Sequence, residues 1–238
     1  MAGFPRYAIY YAPARDSLLH RFGAQLLGYD AWTGETLSFP DFATQAAPDW
    51  LELTQDPRKY GFHATLKAPM PLASGSTEAE LLAACSVFAE KPRAIPVITP
   101  VVDAISGFIA VVPSARSREL EQLAADCVIE LDVFRRPMTS EDRARRNPSG
   151  LTPRQRELLD LWGYPYVMEE FRFHMTLTGQ LDAPRRPPIL AMLQRRFSDL
   201  DIAPLAIDRI ALFRQDDASS HFRIKSQWRL CRVDRGAS

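Results

Sequence analysis

The sequence predicts an α+β protein of two lobes, built from two copies of one strand–helix–strand unit related by a pseudo-two-fold axis. Three observations carry that prediction. The pentapeptide FHATL at residues 62–66 returns as FHMTL at residues 173–177. Each copy follows, at a similar distance, an aromatic or β-branched strand that stops at a proline, Pro13 in the first case and Pro113 in the second. Each copy is in turn followed by a helical pattern and another strand, so both halves read strand, helix, motif strand, helix, strand.

The elements follow in order. YAIYYA (7–12) is aromatic and β-branched, the composition of a strand. Apolar residues at 18, 19, 22 and 26 and a stop at Gly28 predict a helix, with His20 opposite the apolar stripe and therefore in solvent. Residues 29–60 are rich in Gly, Pro, Asp and Thr without a sustained period, which predicts a long surface connection. FHATLKA reads as a strand. Thr77 and Glu80 form a capping box for the next helix, with Pro92 past its end. IPVITPVVDAI is extended, and its prolines favour an edge. FIAVV (108–112) is a strand, and Leu120, Leu123, Ala124, Cys127, Val128 and Leu131 make one stripe of a helix over 117–131. FHMTLTG is a strand, 187–198 a short helix and LAIDRIALF a strand. HFRIKSQWRL alternates apolar 222, 224, 228 and 230 with polar neighbours, including a surface His221. The division is a first lobe at 1–107 and a second at 108–238, within one bilobal domain. An insertion at 135–172 carries a helix opened by Thr152, Pro153 and Gln155 and closed at Gly163.

Composition narrows the function. The chain has 238 residues, 46% hydrophobic and 24% charged, with 29 basic residues against 29 acidic. That balance argues against long nucleic acid or an acidic membrane as partner. No apolar run approaches the length of a membrane span and the N-terminus does not read as a signal peptide, so the expectation is a cytoplasmic protein. Three cysteines, at 85, 127 and 231, show no paired spacing, and Cys85 and Cys127 fall among core-type residues. Four of the 29 basic residues are lysines; the excess of arginine fits either phosphate recognition or codon bias. Seven arginines lie between 135 and 156, readable as a solvated face or as a phosphate-facing lid. Nothing in the sequence speaks to oligomeric state.

The repeated pentapeptide holds the chemistry. Alternation on a strand sends Phe62, Ala64 and Leu66 one way and His63 and Thr65 the other; the second copy sends Phe173, Met175 and Leu177 into a core and leaves His174 and Thr176 together. A two-fold relation brings both pairs to one cleft. A lone strand histidine is usually structural, but the same Phe, Thr and Leu around two histidines is a match that chance produces on the order of once in 10⁴ per copy at average usage. Two imidazoles titrating near neutrality supply a base and an acid at once. Two threonine hydroxyls supply donors for the non-bridging oxygens of a phosphate. No third ligand stands at metal spacing, so neither metal nor cofactor is expected.

The motifs His63-Ala64-Thr65 and His174-Met175-Thr176, in a duplicated α+β chain, resemble the two-histidine phosphoesterase superfamily of cyclic phosphodiesterases and RNA ligase-like proteins. More narrowly, PRKYGFHATLKAP and WGYPYVMEEFRFHMTLTG are similar to a bacterial branch encoded beside carbon–phosphorus lyase genes. The resemblance implies antiparallel-type sheets facing a central cleft between lobes, phosphoester chemistry in phosphonate metabolism, and a small phosphorylated substrate such as a phosphorylated ribose 1,2-cyclic phosphate. RNA or nucleotide 2′,3′-cyclic phosphates are the alternative substrates, and a module that binds a phosphorylated ligand without turnover is the alternative class. Around the motifs, Arg58, Tyr60 and Lys67 flank the first copy, and Tyr164, Tyr166 and Arg172 precede the second. Period-2 alternation puts Lys67 on the face of His63 and Arg172 on that of His174; each either points at a phosphate or reaches solvent. Tyr60 and Tyr166 either contact a ribose or base, or pack.

Overall fold

The computed structural model describes residues 3–202 and 204–233; the outermost residues of the two-lobe division lie outside them. In chain order the strands and α-helices are β1 (Arg6–Tyr11), α1 (Leu18–Leu27), α2 (Asp41–Ala46), α3 (Trp50–Leu53), α4 (Gln55–Arg58), β2 (Ala64–Pro71), α5 (Glu78–Glu90), β3 (Val97–Ile98), β4 (Pro100–Ile105), β5 (Phe108–Pro113), α6 (Arg118–Glu130), α7 (Ser140–Ala144), α8 (Pro153–Trp162), β6 (Met175–Thr176), α9 (Arg186–Ser198), β7 (Leu205–Ala206), β8 (Arg209–Gln215) and β9 (Arg223–Arg229). Seven strands form one sheet in the order β4-β5-β6-β2-β1-β8-β9, with every neighbouring pair antiparallel. β3 and β7 form a separate antiparallel pair. The α+β class with an antiparallel sheet is therefore what the chain adopts.

The sheet order is itself two-fold. Reading outward from the β2–β6 seam gives β2-β1-β8 on one side and β6-β5-β4 on the other, with β9 added beyond β8. β4, from the first half of the chain, pairs with β5 of the second, and β8 of the second half pairs with β1 of the first. The halves thus exchange their last strands, and the sheet runs unbroken through the boundary at 107/108. Prolines at 100 and 113 sit on the outer hairpin, where a missing ladder donor costs little. That hairpin turns at Ser106 and Gly107, both at positive φ, as a tight two-residue connection demands.

Alternation along the strands separates two faces. Phe62, Ala64, Leu66, Phe173, Met175 and Leu177 all enter the main core, together with apolar residues of α1, α5, α6 and α9. Phe62 lies so close to α1 that a Cβ at Gly23 would come within 2.1 Å of its ring, so glycine is what lets this helix approach the motif. β1 is buried on both faces: Tyr7, Ile9 and Tyr11 join the main core, while Ala8, Tyr10 and Ala12 join a second cluster with Phe213 and Phe222. Cys85 and Cys127 are buried in the main core.

Several expectations require correction. Residues 29–60 are not a surface connection. They carry three helices of four to six residues, too short to display a period, and Trp50 is fully buried with its indole N–H donated to the Leu26 carbonyl at 2.8 Å. His20 is not in solvent; it is buried, with Nε2 3.4 Å from Asp30, because α1 buries residues 19, 20, 22, 23, 24, 26 and 27 and exposes Leu18 instead. The second motif strand is only two residues long. The N–H groups of Leu177 and Thr178 both turn to the Ile109 carbonyl, and Gly179 bonds Leu53, so the chain leaves the ladder after Thr176. LAIDRIALF is likewise split, its first residues pairing with β3 rather than with the large sheet.

Candidate active site

The two motifs meet at the seam. β2 and β6 share one pairing, Ala64 opposite Met175, the middle residue of each HxT triplet. An antiparallel register through that pair sets His63 across from Thr176 and Thr65 across from His174, on the face away from the main core. Side chains directly opposite in such a pair stand about 5 Å apart at Cβ. All four line one cleft of about 380 Å³, together with Tyr10, Tyr60, Arg6 and Arg146.

Each imidazole is held in the same way. His63 Nδ1 donates to the Gly61 carbonyl at 2.8 Å, and His174 Nδ1 donates to the Arg172 carbonyl at 2.7 Å. A carbonyl only accepts, so both Nδ1 atoms carry hydrogen and both Nε2 atoms keep a lone pair. Thr65 Oγ1 donates to His63 Nε2 at 3.4 Å. Burial pushes the His63 imidazole down to about 4, the nearby His174 pushes the same way, and the bond to Gly61 opposes them. Burial also holds His174 below the ordinary histidine value, against the bond to Arg172. At neutral pH both rings are therefore neutral acceptors.

The surroundings of the two rings differ. His63 stacks on Tyr10 with centroids 3.8 Å apart and planes at 20°, and Phe213 and Tyr60 stand at 5.9 and 6.2 Å. His174 has Phe108 beside it, tilted at 5.6 Å. Beside His174 a second cavity of about 480 Å³ opens, lined by Phe108, Tyr164, Tyr166, Arg172 and Gln180.

The flanking residues divide. Tyr60 lines the His63 cleft and stacks on Phe222 at 5.2 Å; Tyr166 and the exposed Arg172 line the neighbouring cavity. Lys67 does not face the cleft. Tyr10 is opposite Thr65 but Ile9 is opposite Lys67, so Leu66 is an extra residue, and this bulge turns Lys67 towards the core side. There its ammonium donates to Asp132 at 2.8 Å and to the Val128 carbonyl at 3.1 Å. Arg58 is structural too: it donates to the carbonyls of Leu27 and Leu51 and to Thr54 Oγ1, and lies over the Phe39 ring. Sequence reading missed Tyr10, Phe108 and Arg6, and reached Arg146 only as one of the seven arginines at 135–156 that could form a phosphate-facing lid. For Tyr10 a signal existed, since it alternates with the two alanines of YAIYYA and so shares their face.

Comparison with known proteins adds a family. Over 91% of its length the chain is 36% identical to a protein of Janthinobacterium sp. (strain Marseille) named ribose 1,5-bisphosphate phosphokinase PhnN, and over 92% it is 33% identical to one of the same name in Laribacter hongkongensis (strain HLHK9). It spans about half the length of both, 49% and 50%. Crystal structures of E. coli LigT with NADP+ and with 3′-AMP align over 96% of the chain at 16% identity, with TM-scores of 0.41 and 0.39. A family model described as "Protein of unknown function (DUF1045)" matches residues 65–223, from the first motif's threonine through the whole second motif to the start of β9, and on that match the chain belongs to the DUF1045 family.

Proposed function

We propose that this protein hydrolyses a small cyclic phosphodiester, using His63 as base and His174 as acid, without a metal. The observation that carries the reading is the Ala64–Met175 register, which sets two Nε2 lone pairs and two hydroxyls around one cleft. His63 Nε2 takes a proton from water as its oxygen attacks phosphorus. The ring P–O bond breaks, and the departing oxygen takes the proton carried by His174 Nε2. Thr65 and Thr176 donate to the non-bridging oxygens, where charge gathers. An anionic phosphate between the rings favours their protonated forms, which loads His174. Opening a phosphorylated ribose 1,2-cyclic phosphate at the 2-oxygen yields ribose 1,5-bisphosphate, the compound named in the curated relatives, and the resemblance to proteins encoded beside carbon–phosphorus lyase genes points to the same phosphonate context.

A second reading, nucleotide 2′,3′-cyclic phosphate hydrolysis or ligation, is favoured by one observation: the aromatic cavity beside His174 offers Phe108, Tyr164 and Tyr166 for stacking a base. Incubating the protein with both classes of cyclic phosphate, with and without EDTA, and following the products by ³¹P NMR decides between them. The expected result is faster, EDTA-insensitive opening of the ribose 1,2-cyclic compound. Opening of neither class, with phosphate binding intact, would assign the protein to ligand binding instead.

A further inference from the structure

The cleft has a basic end that the acid–base chemistry leaves unused. Beyond the His63 side lies an adjoining cavity of about 250 Å³, lined by Arg6, Arg135, Arg136, Arg145 and Arg146 with Asp142. Three of these cations are matched: Arg135 grips Asp132, while Arg136 and Arg145 share Asp142. The other two are not matched by a carboxylate among the described residues. Arg6 leans on the neutral amide of Gln215 and over the Phe222 ring, and Arg146 lies over the Tyr164 ring. Those same two arginines line both cavities. Both also act on the Tyr10 hydroxyl, lowering a pKa that burial holds well above 10, and Tyr10 is the ring stacked on His63. Arg6 and Arg146 therefore converge from β1 and from the end of α7 onto one side of the histidine pair.

We propose that Arg6 and Arg146 bind a second, terminal phosphate of the substrate, so that the preferred ligand carries two phosphate groups, one at the histidines and one at this basic end. The proposal rests on the hydrolase reading for what sits at the histidines. Two guanidinium groups without carboxylates match the charge of a phosphate monoester dianion, and arginine offers it paired N–H donors. Orientation follows: the terminal phosphate points past Tyr10, and the rest of the substrate extends towards His174.

Binding tests this independently of turnover. Calorimetry compares ribose 1,5-bisphosphate with ribose 1-phosphate on wild type, Arg6→Gln, Arg146→Gln and Arg172→Gln. Wild type is expected to favour the bisphosphate by about tenfold or more, the scale of one charge-assisted contact. Arg146→Gln and Arg6→Gln should each erase most of that preference, and Arg172→Gln should keep it. Arg146 is exposed, so its variant folds even where Arg6→Gln disturbs β1. No preference in wild type, no detectable binding of either compound, or a preference lost only in Arg172→Gln overturns the proposal. Preference without hydrolysis of any cyclic phosphate leaves this site standing and removes the hydrolase reading; hydrolysis without preference does the reverse.

Discussion

Laid over each other by register, the two copies of the motif agree in geometry and disagree in environment. Thr65 of the first corresponds to Thr176 of the second, and each histidine bonds the carbonyl two residues before it. The strand neighbours then diverge. Tyr10 stands opposite Thr65, whereas Ala110 stands opposite Thr176. Two residues past the threonine, Lys67 is turned by a bulge into a buried ion pair, whereas Thr178 spends its hydroxyl on the Ile109 N–H at 3.0 Å. Duplication supplies a matched pair of imidazoles; the acid–base catalysis proposed above needs an unmatched pair. The departures from symmetry provide the mismatch by enclosing one ring in aromatic surface and leaving the other next to an open cavity.

The most damaging way to break the comparison is to remove its shared part. His63→Ala and His174→Ala are each expected to lower kcat/KM on the proposed cyclic substrate roughly 10² to 10⁴-fold. The double variant should lose far less than the product of the two, since the rings act as a unit. A multiplicative loss measured in a kinetic cycle would refute the pairing. Thr65→Val and Thr176→Val should cost less than either histidine, because the proton transfers survive.

The divergent positions are expected to affect stability rather than rate. Lys67→Met leaves a carboxylate with one cation fewer and should cost about 3 kcal/mol, the scale for removing one member of a buried pair. Thr178→Val orphans a buried N–H and should cost about 1–3 kcal/mol. Denaturant unfolding measures both, and kcat/KM of the folded fraction should stay near wild type. A Lys67→Met protein of unchanged stability but raised KM would return Lys67 to the substrate.

The smallest effect sharpens the comparison most. Under the proposed mechanism the active form of the free protein has His63 neutral and His174 protonated, so kcat/KM should rise with pH through the His63 pKa and fall through that of His174. With His63 at about 4 and His174 held below the ordinary value of 6.5, the optimum should fall on the acid side of 6.5. Tyr10→Leu removes the stacked ring that helps desolvate His63, so the acid limb should move up in pH while the alkaline limb stays. Movement of the alkaline limb alone in a pH–rate profile would reverse the assignment of base and acid.

The extent to which the sequence was legible follows from the range of the interactions. FHATL and FHMTL declared which residues enter the core and which share the other face, because strand alternation is local. Thr77 and Thr152 each accept the N–H expected of a helix cap, since caps act over three residues. Lys67 was misplaced because the bulge before it shifts the alternation, a second register shift restores it by Met70, and neither leaves a compositional trace. The helices between 41 and 58 escaped because Trp50 and Ala43 are held by tertiary packing rather than by a period. Arg6 and Arg146 reach the cleft from positions 140 residues apart, a proximity that only the folded sheet creates.

The exchange of outer strands has a consequence for how the chain is made. β1 ends at Tyr11, and its second edge is covered only by β8, which begins at Arg209. A ribosome adding about 5–20 residues per second emits those two strands roughly 10 to 40 s apart. Through that interval β2 can occupy one side of β1, but the other side shows a row of unpaired donors and acceptors on a strand of aromatic and small apolar residues, the kind of edge that recruits other chains. That edge of β1 therefore stays open while nearly 200 further residues are made, and yield at high expression depends on what shields it until β8 and β9 emerge.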